Sequence, residues 1–399
     1  MIKRGWNIFQ ALFTSKGEKI IMSKLDSVIK ELNKKLKNDI ITMDKDAITF
    51  NSKDSVHFLS PSLEYMFHGE GFKTNTLWTI RGEFSSAKTS LSLSIAGQFQ
   101  KHYKKKWEDR ISYLQSLEKP SKNEKMELIN LLDDGYKRVL FVDVEQSLDS
   151  DWSSKNGLDI SDIVFIKPAS ESAEEILETV LQLIQSDCIC LVIIDSVAAL
   201  TSMSAMSKSL MEKTYCGVAG TMTTFTAKLM PLLTQHDCSC ICINQLRDNL
   251  SSTFVTTKMP GGKALGFNSH VILTTRKGKP LDKSYKEIPN NSESYYGQSF
   301  EVHLDKCKVV VPDRRLTKFN VVFDKGVYPL LDTFNLAVTF NIINKSGAWF
   351  DYRDENGNVL SDSEGSPYKW QGQTNALNYM ETHDDFYKEI YDKVIEKCK

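Results

Sequence analysis

The chain has 399 residues, of which 41% are hydrophobic, and this is enough to bury one large core with smaller appendages. Its formal net charge of −1 excludes a protein that attracts nucleic acid through its overall field, so any basic DNA-binding surface must be local. No segment approaches the roughly 18 apolar residues of a membrane span, and the N-terminus lacks a signal-peptide cleavage site, so we expect no membrane partner.

The first predicted element is an amphipathic helix over residues 23–37. Its apolar residues recur at helical spacing with Lys and Glu between them, and they are Leu25, Val28, Ile29, Leu32 and Leu36. Such a helix either packs on its own domain or docks on a neighbouring subunit. We assign residues 1–45 to an N-terminal extension that carries this helix.

The segment 81–90, RGEFSSAKTS, follows an apolar run and leads into apolar residues at helical spacing, which predicts a strand, a tight turn and a helix. A glycine followed by four residues, a small residue, Lys and a hydroxyl residue is typical of a phosphate-binding loop, because backbone N–H groups and the helix dipole face the anion. Lys88 is then expected at the β- and γ-phosphates of ATP, and Thr89 on Mg²⁺. The other predicted nucleotide contacts in this loop are Gly82, Glu83, Phe84, Ser85, Ser86, Ala87 and Ser90. Ala87 stands where the pattern has glycine, so the segment alone fits an ordinary strand-to-helix turn equally well.

Residues 101–137 are dense in Lys and Glu and are interrupted at Pro120, which predicts an inserted helical hairpin. One interpretation is a solvated surface. The alternative is a basic contact surface formed by Lys104, Lys105 and Lys106.

Three apolar runs further along the chain end in polar residues and predict parallel strands. Glu145 lies at the C-terminal end of the first predicted strand, Asp195 at that of the second and Gln245 at that of the third. Open α/β sheets bind their ligands at this end of their strands. A carboxylate in that position either serves a metal ion or caps a helix. Cysteines in two of these runs form no CxxC pair, which favours small buried side chains in a reducing cytoplasm over a zinc site. The alternation of strands and helices predicts an α/β fold with a mostly parallel sheet.

Six segments resemble, in this order, the RecA-type DNA strand-exchange recombinases: FVDVEQSLDSDW, LVIIDSVAALT, INQLR, PGGKALGF, LDKCKVVVP and KSGAWFDY. The resemblance runs from about residue 60 to residue 352. It implies a RecA-like P-loop ATPase core over residues 46–326, an N-terminal polymerisation segment and a small C-terminal α+β domain over residues 327–399. The insertion, the altered phosphate loop and the Lys- and Asn-rich composition look more like a phage-encoded member.

The resemblance also implies roles for the residues of an ATP site. Glu145 would orient and activate the water that attacks the γ-phosphate. Asp195 would hold Mg²⁺ through water, together with Thr89. Gln245 would sense the γ-phosphate, although an amide that satisfies backbone groups at a strand end is the alternative. The positions that match the family's adenine contacts are Asp149 and Trp152.

Lys306 and Lys308 lie two residues apart in a predicted strand, so both should point to one face. In the family, such a pair reaches across the subunit interface and neutralises charge on the neighbour's transferring phosphoryl group. Alternating lysines alone are more typical of a solvated strand face. Phe267 matches a residue that packs on the neighbouring subunit, with a core phenylalanine as the alternative. The candidate catalytic residues are therefore Glu145, Lys88, Gln245, Lys306 and Lys308.

DNA is expected at two loops, residues 201–216 and 248–262, of which the second lacks periodicity and is predicted to be mobile. Arg247 and Lys258 would contact phosphates, and the Phe254 ring would stack on a base. Gly261 and Gly262 would allow the loop to change conformation. In the first loop Met203, Met206 and Met211 either press between bases or belong to the core.

The function implied by the resemblance is a DNA-dependent ATPase that uses ATP and Mg²⁺. It would form a helical homo-oligomeric filament on single-stranded DNA, pair it with homologous duplex DNA and exchange strands in the cytoplasm, that of a bacterial host for a phage-encoded protein. Loader, mediator and single-strand-binding proteins are the expected further partners. One alternative is a filament that binds nucleotide and DNA with little ATP turnover. A ring-forming helicase is another, which the paired lysines and the GGKALGF segment argue against.

Overall fold

The structure is a computed structural model that describes residues 30, 31, 34, 35, 54–209, 217–249, 256–258 and 261–399, with the backbone alone at 247–249 and 256–258. The chain divides into two compact units, Met1–Asn51 and Ser52–Lys399. In the first unit the described residues are helical, and Lys35 pairs with Glu31 at 2.9 Å, one turn earlier. They agree with the predicted helix, whose other residues lie outside the described ranges.

The second unit contains sixteen described strands and eleven described helices. The strands are β1 (Ser55–Val56), β2 (Phe72–Lys73), β3 (Leu77–Gly82), β4 (Arg138–Asp143), β5 (Ile163–Ile166), β6 (Ile189–Asp195), β7 (Ser239–Gln245), β8 (Arg247–Asn249), β9 (Thr256–Lys258), β10 (Val271–Leu281), β11 (Gly297–Cys307), β12 (Leu316–Val322), β13 (Gly326–Val327), β14 (Ile343–Ser346), β15 (Trp349–Tyr352) and β16 (Lys369–Gln371). The helices are α1 (Pro61–Met66), α2 (Lys88–Ser116), α3 (Lys122–Asp134), α4 (Ser150–Lys155), α5 (Ala173–Gln185), α6 (Met203–Met206), α7 (Ala219–Gln235), α8 (Ala264–Asn268), α9 (Pro329–Thr339), α10 (Gln373–Thr382) and α11 (Asp384–Cys398).

Nine strands form the main sheet in the order β13-β12-β11-β10-β3-β7-β6-β4-β5. From β10 to β5 every neighbouring pair is parallel, and the strands from β10 to β13 are antiparallel. The predicted α/β fold with a mostly parallel sheet is therefore confirmed. Because β3, β7, β6 and β4 run in the same direction, their C-terminal ends meet at one edge.

The central strands are buried on both faces, which explains their nearly continuous apolar sequences. On one face, Trp78 and Phe141 of the sheet pack against Phe99 of α2. On the other face, Val142 and Ile194 join the core that α5 and α7 share with the sheet. Alternate residues of each strand thus enter separate cores.

The predicted helical hairpin is present, but its first arm is the continuation of α2, which runs for 29 residues from the phosphate loop. Ser121 caps α3 in a reciprocal capping box with Glu124. The two arms are joined by a bidentate pair, Arg110 to Glu127 at 2.7 and 2.8 Å. No residue of α3 is buried, which agrees with the interpretation of a solvated hairpin.

The C-terminal segment builds a third core from a three-stranded sheet, β14-β15-β16, and helices α9, α10 and α11. Phe334, Phe350 and Phe386 are buried there. The last helix also reaches α1, where the Cys398 thiol lies 3.9 Å from the Pro61 carbonyl oxygen. Leu281 and Val322 join the same core, so apolar packing crosses the proposed boundary at residue 327.

Within the described ranges, no helix combines the length and the apolar character that crossing a membrane requires. In the same part of the chain, no cluster of three or more His, Cys, Asp or Glu side chains has the arrangement of a metal site. Cys190, Cys238, Cys240 and Cys242 are buried and free, as expected for small apolar side chains in strands.

Candidate nucleotide-binding site

The segment 81–90 forms the predicted strand, turn and helix. β3 ends at Gly82, residues 83–87 turn, and α2 begins at Lys88. A Cβ at Gly82 would lie 2.4 Å from the Thr275 carbonyl oxygen of β10, so this position requires glycine. Ser86 anchors the loop, since its hydroxyl donates to the Glu83 carbonyl at 2.8 Å and lies 2.9 Å from the Thr275 hydroxyl.

The tip of this loop is open to solvent. Phe84 is 90% exposed, and Glu83 and Ser85 are exposed beside it. Ala87, the departure from the glycine pattern, adopts φ 59° and ψ 27°, a left-handed conformation. An L-residue with a Cβ costs about 1–2 kcal/mol in this region of φ and ψ. The conformation of residue 87 therefore explains the glycine of the pattern, and alanine is tolerated here at an energetic cost.

Lys88 and Thr89 lie at the N-terminus of α2, where a phosphate would bind. The Lys88 ammonium is largely buried and donates to the Glu83 carbonyl at 2.6 Å. Burial lowers the pKa of Lys88, while the charges of Asp195 and Glu145 oppose this shift. The Thr89 hydroxyl donates to Oδ2 of Asp195 at 2.7 Å. The predicted pair of magnesium residues is thus in direct contact.

Asp195 ends β6 and is 3% exposed. Burial raises the pKa of its carboxyl to about 6; the hydrogen bond from Thr89 opposes the shift, and the charges of Glu145 and Asp143 add to it. A cation bound at this edge would lower this pKa, because a nearby positive charge favours the ionised form of a carboxyl.

Glu145 is held at the same edge by backbone and side-chain hydrogen bonds. The N–H groups of Val144 and Glu145 donate to the Asp195 carbonyl at 2.8 and 3.2 Å, which joins the ends of β4 and β6. Oε1 of Glu145 accepts from the Gln245 amide at 3.0 Å and from the Ser196 hydroxyl. Sequence reasoning missed Ser196. The only signal was a hydroxyl residue directly after the strand-terminal Asp195.

Gln245 therefore contacts the side chain of the predicted catalytic carboxylate, and not the backbone groups of its alternative interpretation. Hydrogen bonds join Thr89 to Asp195 and Gln245 to Glu145 at one edge of the sheet. The charges of Asp195 and Glu145 affect the pKa of Lys88, and the charge of Glu145 affects the pKa of Asp195. These five predicted residues share one site.

The two residues predicted to contact adenine lie on α4. Asp149 caps this helix, because its carboxylate accepts from the Trp152 N–H at 2.7 Å. The Trp152 indole donates to the Ser90 hydroxyl at 3.1 Å, which places it beside the first turn of α2. Its ring is partly buried against the core on that side of the sheet. The Asp149 carboxylate thus has a local structural role as a helix cap.

The two predicted trans-acting lysines lie at the end of β11. The Lys306 ammonium donates to the carbonyls of Gly266 and Phe267, both at 2.8 Å, at the C-terminal end of α8. Burial and the nearby charge of Lys308 lower the pKa of Lys306. Phe267 is 71% exposed, so its alternative interpretation as a core residue is wrong. Lys308 lies one residue beyond β11, and its N–H donates to the His270 carbonyl at 2.9 Å.

The predicted DNA loops are described only in part. Residues 210–216, 250–255, 259 and 260, and with them Met211 and Phe254, lie outside the described residues. Met203 and Met206 are 53% and 44% exposed, so a core role is wrong for both. Arg247 and Lys258 pair in the antiparallel strands β8 and β9, so the described part of the segment predicted as a loop without periodicity contains two short strands.

Gly261 and Gly262 follow β9 in left-handed conformations, with φ of +81° and +77°. A Cβ on either would lie 2.9 Å from Val197 or Ala219, respectively. Both positions require glycine because of their conformation and because of close packing.

The model of the RecA N-terminal domain family matches residues 125–328, a little over half of the chain. A protein RecA of Mycoplasmopsis pulmonis is 29% identical over 258 residues, which cover 64% of this chain and 69% of that protein. A protein RecA of Rippkaea orientalis is 32% identical over 261 residues, 65% of this chain and 68% of that protein. The chain belongs to the RecA family. The RecA relatives are thus matched over about two thirds of their length.

Membership of the RecA family identifies the chain as a recombinase of the type that the order of its motifs indicated. The crystal structure of the RadB recombinase matches with a TM-score of 0.42 and 17% identity over 67% of this chain and 98% of that one. The range matched by the family model begins after residue 90, so the assignment of the phosphate loop depends on the geometry described above.

Proposed function

We propose that this RecA-family recombinase is a DNA-dependent ATPase that assembles as a filament on single-stranded DNA, pairs it with homologous duplex DNA and exchanges strands. The observation that carries the proposal is the meeting of Lys88, Thr89, Asp195, Glu145 and Gln245 at the C-terminal edge of the sheet. The cytoplasm, as the compartment that holds DNA and ATP, is its proposed location.

The side chains at this edge fit ATP with Mg²⁺. A threonine hydroxyl is an oxygen ligand that suits Mg²⁺, and a carboxylate can hold the ion through water; the Thr89 hydroxyl lies 2.7 Å from Oδ2 of Asp195. When bound, Mg²⁺ would supply positive charge that neutralises the phosphates. The Lys88 ammonium donates to a loop carbonyl that a phosphate oxygen can replace. Asp149 and Trp152 are proposed to contact the adenine beside Ser90.

In the proposed mechanism, Glu145 accepts a hydrogen bond from the attacking water opposite the γ-phosphate. Ser196 and Gln245 both donate to Oε1 of Glu145, so they hold the carboxylate in one orientation. Gln245 is one residue before Leu246 and two before Arg247, where β8 begins. A change of its partner from Glu145 to the γ-phosphate would therefore be transmitted directly into the proposed DNA loop.

Lys306 and Lys308 are proposed to act on the ATP of the neighbouring subunit, and Phe267 to pack on that subunit. The exposure of Phe267 supports this role, because its ring is accessible to a neighbouring subunit. Arg247, Phe254, Lys258, Gly261 and Gly262 are proposed to bind DNA without reading its sequence.

The test is ATP hydrolysis with and without single-stranded DNA. We expect turnover that rises when single-stranded DNA is added, and strand exchange between homologous substrates that requires ATP. Matched Arg110→Ala protein, altered on the hairpin away from the site, should behave as wild type. Turnover that does not respond to DNA would contradict the proposal.

The left-handed Ala87 favours one second candidate, a filament that binds nucleotide and DNA with little ATP turnover. Its outcome in the same experiment is different, because nucleotide binding would then occur without hydrolysis in either condition.

A further inference from the structure

The pairing of the strand that carries Lys306 shifts register directly before this lysine. In the pairing of β10 with β11, Ile272 is opposite Lys306 and Leu273 is opposite Leu304, so Asp305 is an extra residue without a partner. This is a β-bulge, a feature that re-aims the side chains beyond it and is frequent next to active sites. Because of the bulge, Leu304 enters the core with Leu273, while Lys306 lies on the opposite face and reaches α8.

The bulged residue is held by a side chain from the adjacent strand β10 and by one from β3, on the far side of β10. Nη2 of Arg81 donates to Oδ2 of Asp305 at 2.9 Å, and Nε of Arg81 donates to Oγ1 of Thr274 at 3.0 Å. The Thr274 hydroxyl donates in turn to the same Asp305 oxygen. Arg81 and Asp305 are only 28% and 34% exposed, and Thr274 is buried, so water screens this cluster less than a surface pair.

The same cluster adjoins the phosphate loop of its own subunit. Arg81 directly precedes Gly82, and β3 pairs with β10 at Arg81–Thr274 and Gly82–Thr275. The loop also rests on Thr275 through the Ser86 hydroxyl. Adjacent residues of β10 therefore support the phosphate loop on one side and the bulge before Lys306 on the other.

We propose that Arg81, Thr274 and Asp305 are positioning residues for Lys306 and Lys308. They hold the bulge in the conformation that directs both lysines towards the ATP of the neighbouring subunit. They also connect the position of the lysines to the phosphate loop of their own subunit. This inference rests on the proposed function, in which the lysines act in trans. The three residues act through the lysines and not on the nucleotide.

Removal of the Asp305 carboxylate leaves Arg81 and Thr274 without their shared acceptor and frees the bulge to shift. A displacement of the lysines of about 1 Å would lower the rate by about ten- to a hundredfold. Asp305→Ala should therefore lower DNA-stimulated kcat by this factor, with the KM for ATP and nucleotide binding nearly unchanged. Asp305→Asn keeps an acceptor and should retain an intermediate kcat. Glu127→Ala, which removes an equally short arginine pair on the hairpin, should leave kcat unchanged.

A mixing experiment separates a defect in trans from one in cis. Asp305→Ala subunits keep their own site but misplace their lysines, whereas Glu145→Gln subunits keep the lysines but lack the carboxylate. Each protein alone should hydrolyse ATP poorly on single-stranded DNA. A one-to-one mixture should recover about a quarter of wild-type turnover, because that share of head-to-tail interfaces in a random filament joins the two intact halves.

Thermal melting and nucleotide binding first establish that both variants are folded and intact. If their mixture then shows no recovery of turnover, the Asp305→Ala defect lies in the subunit's own site, and the positioning role is overturned. Wild-type kcat for Asp305→Ala alone would also overturn it. Should Asp305→Ala not fold, Asp305→Asn replaces it in the mixture, with the same two outcomes. Lys306→Ala tests the proposed function separately: full turnover would exclude the trans lysines, and lost turnover beside a normal Asp305→Ala would exclude only the positioning role.

Discussion

Each subunit carries two sets of residues proposed to act on ATP, and the two sets are held in different ways. The first set lies at the C-terminal ends of β3, β4, β6 and β7, whose register is fixed by parallel pairing and by apolar burial on both faces. The second set, Lys306 and Lys308, follows a bulge that depends on a few polar side chains. The first set is thus positioned by strands of the folding core, whereas the position of the second depends on the polar contacts at the bulge.

The largest expected effect belongs to the first set. Glu145→Gln should lower ATP hydrolysis by about a hundred- to ten-thousandfold, the range for a general base. Glutamine has nearly the shape of glutamate and can still accept from Ser196 and Gln245, so binding of ATP and single-stranded DNA should persist. Steady-state turnover and nucleotide binding measure the two effects. An unaffected rate would remove Glu145 from its role, and Glu127→Gln on the hairpin is the matched control.

Lys306→Ala tests the second set, with an expected loss of about a hundredfold in DNA-stimulated turnover, as for removal of one charge that stabilises a transition state. Isolated subunits should bind nucleotide normally, because Lys88 and Thr89 remain. The measurement is turnover against protein concentration. Lys318→Ala, an exposed lysine on the next strand that pairs with Glu287, is the control. If dilute wild-type monomers hydrolyse ATP as fast as filaments, the lysines do not act in trans.

The same comparison explains what the sequence could predict. Glu145, Asp195 and Gln245 were predictable as neighbours because each follows an apolar strand, and parallel strands end at one edge. The contact between Ser196 and Glu145 was not, since a hydroxyl after a strand has many possible partners. The bulge at Asp305 was not either, because it depends on Arg81, a residue 224 positions away along the chain.

Two other features escaped prediction for local reasons. The pairing of β8 with β9 was missed because its Ser- and Thr-rich sequence has no apolar alternation. The first arm of the hairpin was treated as an insertion, although the helical pattern that begins at Lys88 continues through it to Ser116. The core of the family could be predicted from its motifs, whereas the β8–β9 pair and the extent of α2 could not.

The raised pKa of Asp195 makes the first set sensitive to pH. Its folded pKa of about 6 lies above the ordinary value of 3.8, so the nucleotide-free protein loses stability as pH rises through this interval. Mg²⁺ requires the ionised carboxylate, so its binding must displace a proton below about pH 6. We expect the affinity for Mg²⁺–ATP to fall by about tenfold between pH 7 and pH 5.

Calorimetric titration at the two pH values measures this change and the proton released. The Asp195→Asn variant controls for protonation of the nucleotide itself, and its weaker binding should vary with pH only as far as ATP does. It should also melt at a higher temperature than wild type near pH 7 without nucleotide, because the buried charge is gone. An equal pH dependence in wild type and variant would contradict the role of Asp195.

The smallest expected effect concerns the phosphate loop, where the first set departs from the glycine pattern. Ala87→Gly should relieve a left-handed conformation that costs about 1 kcal/mol, partly offset by the greater freedom of glycine in the unfolded chain. We expect the KM for ATP to fall a few-fold and the melting temperature to rise slightly. Ala337→Gly, in the interior of α9, is the matched control and should lower the melting temperature instead, because glycine is unfavourable within a helix. A loss of ATPase activity in Ala87→Gly would mean that the loop binds phosphate through a different backbone conformation.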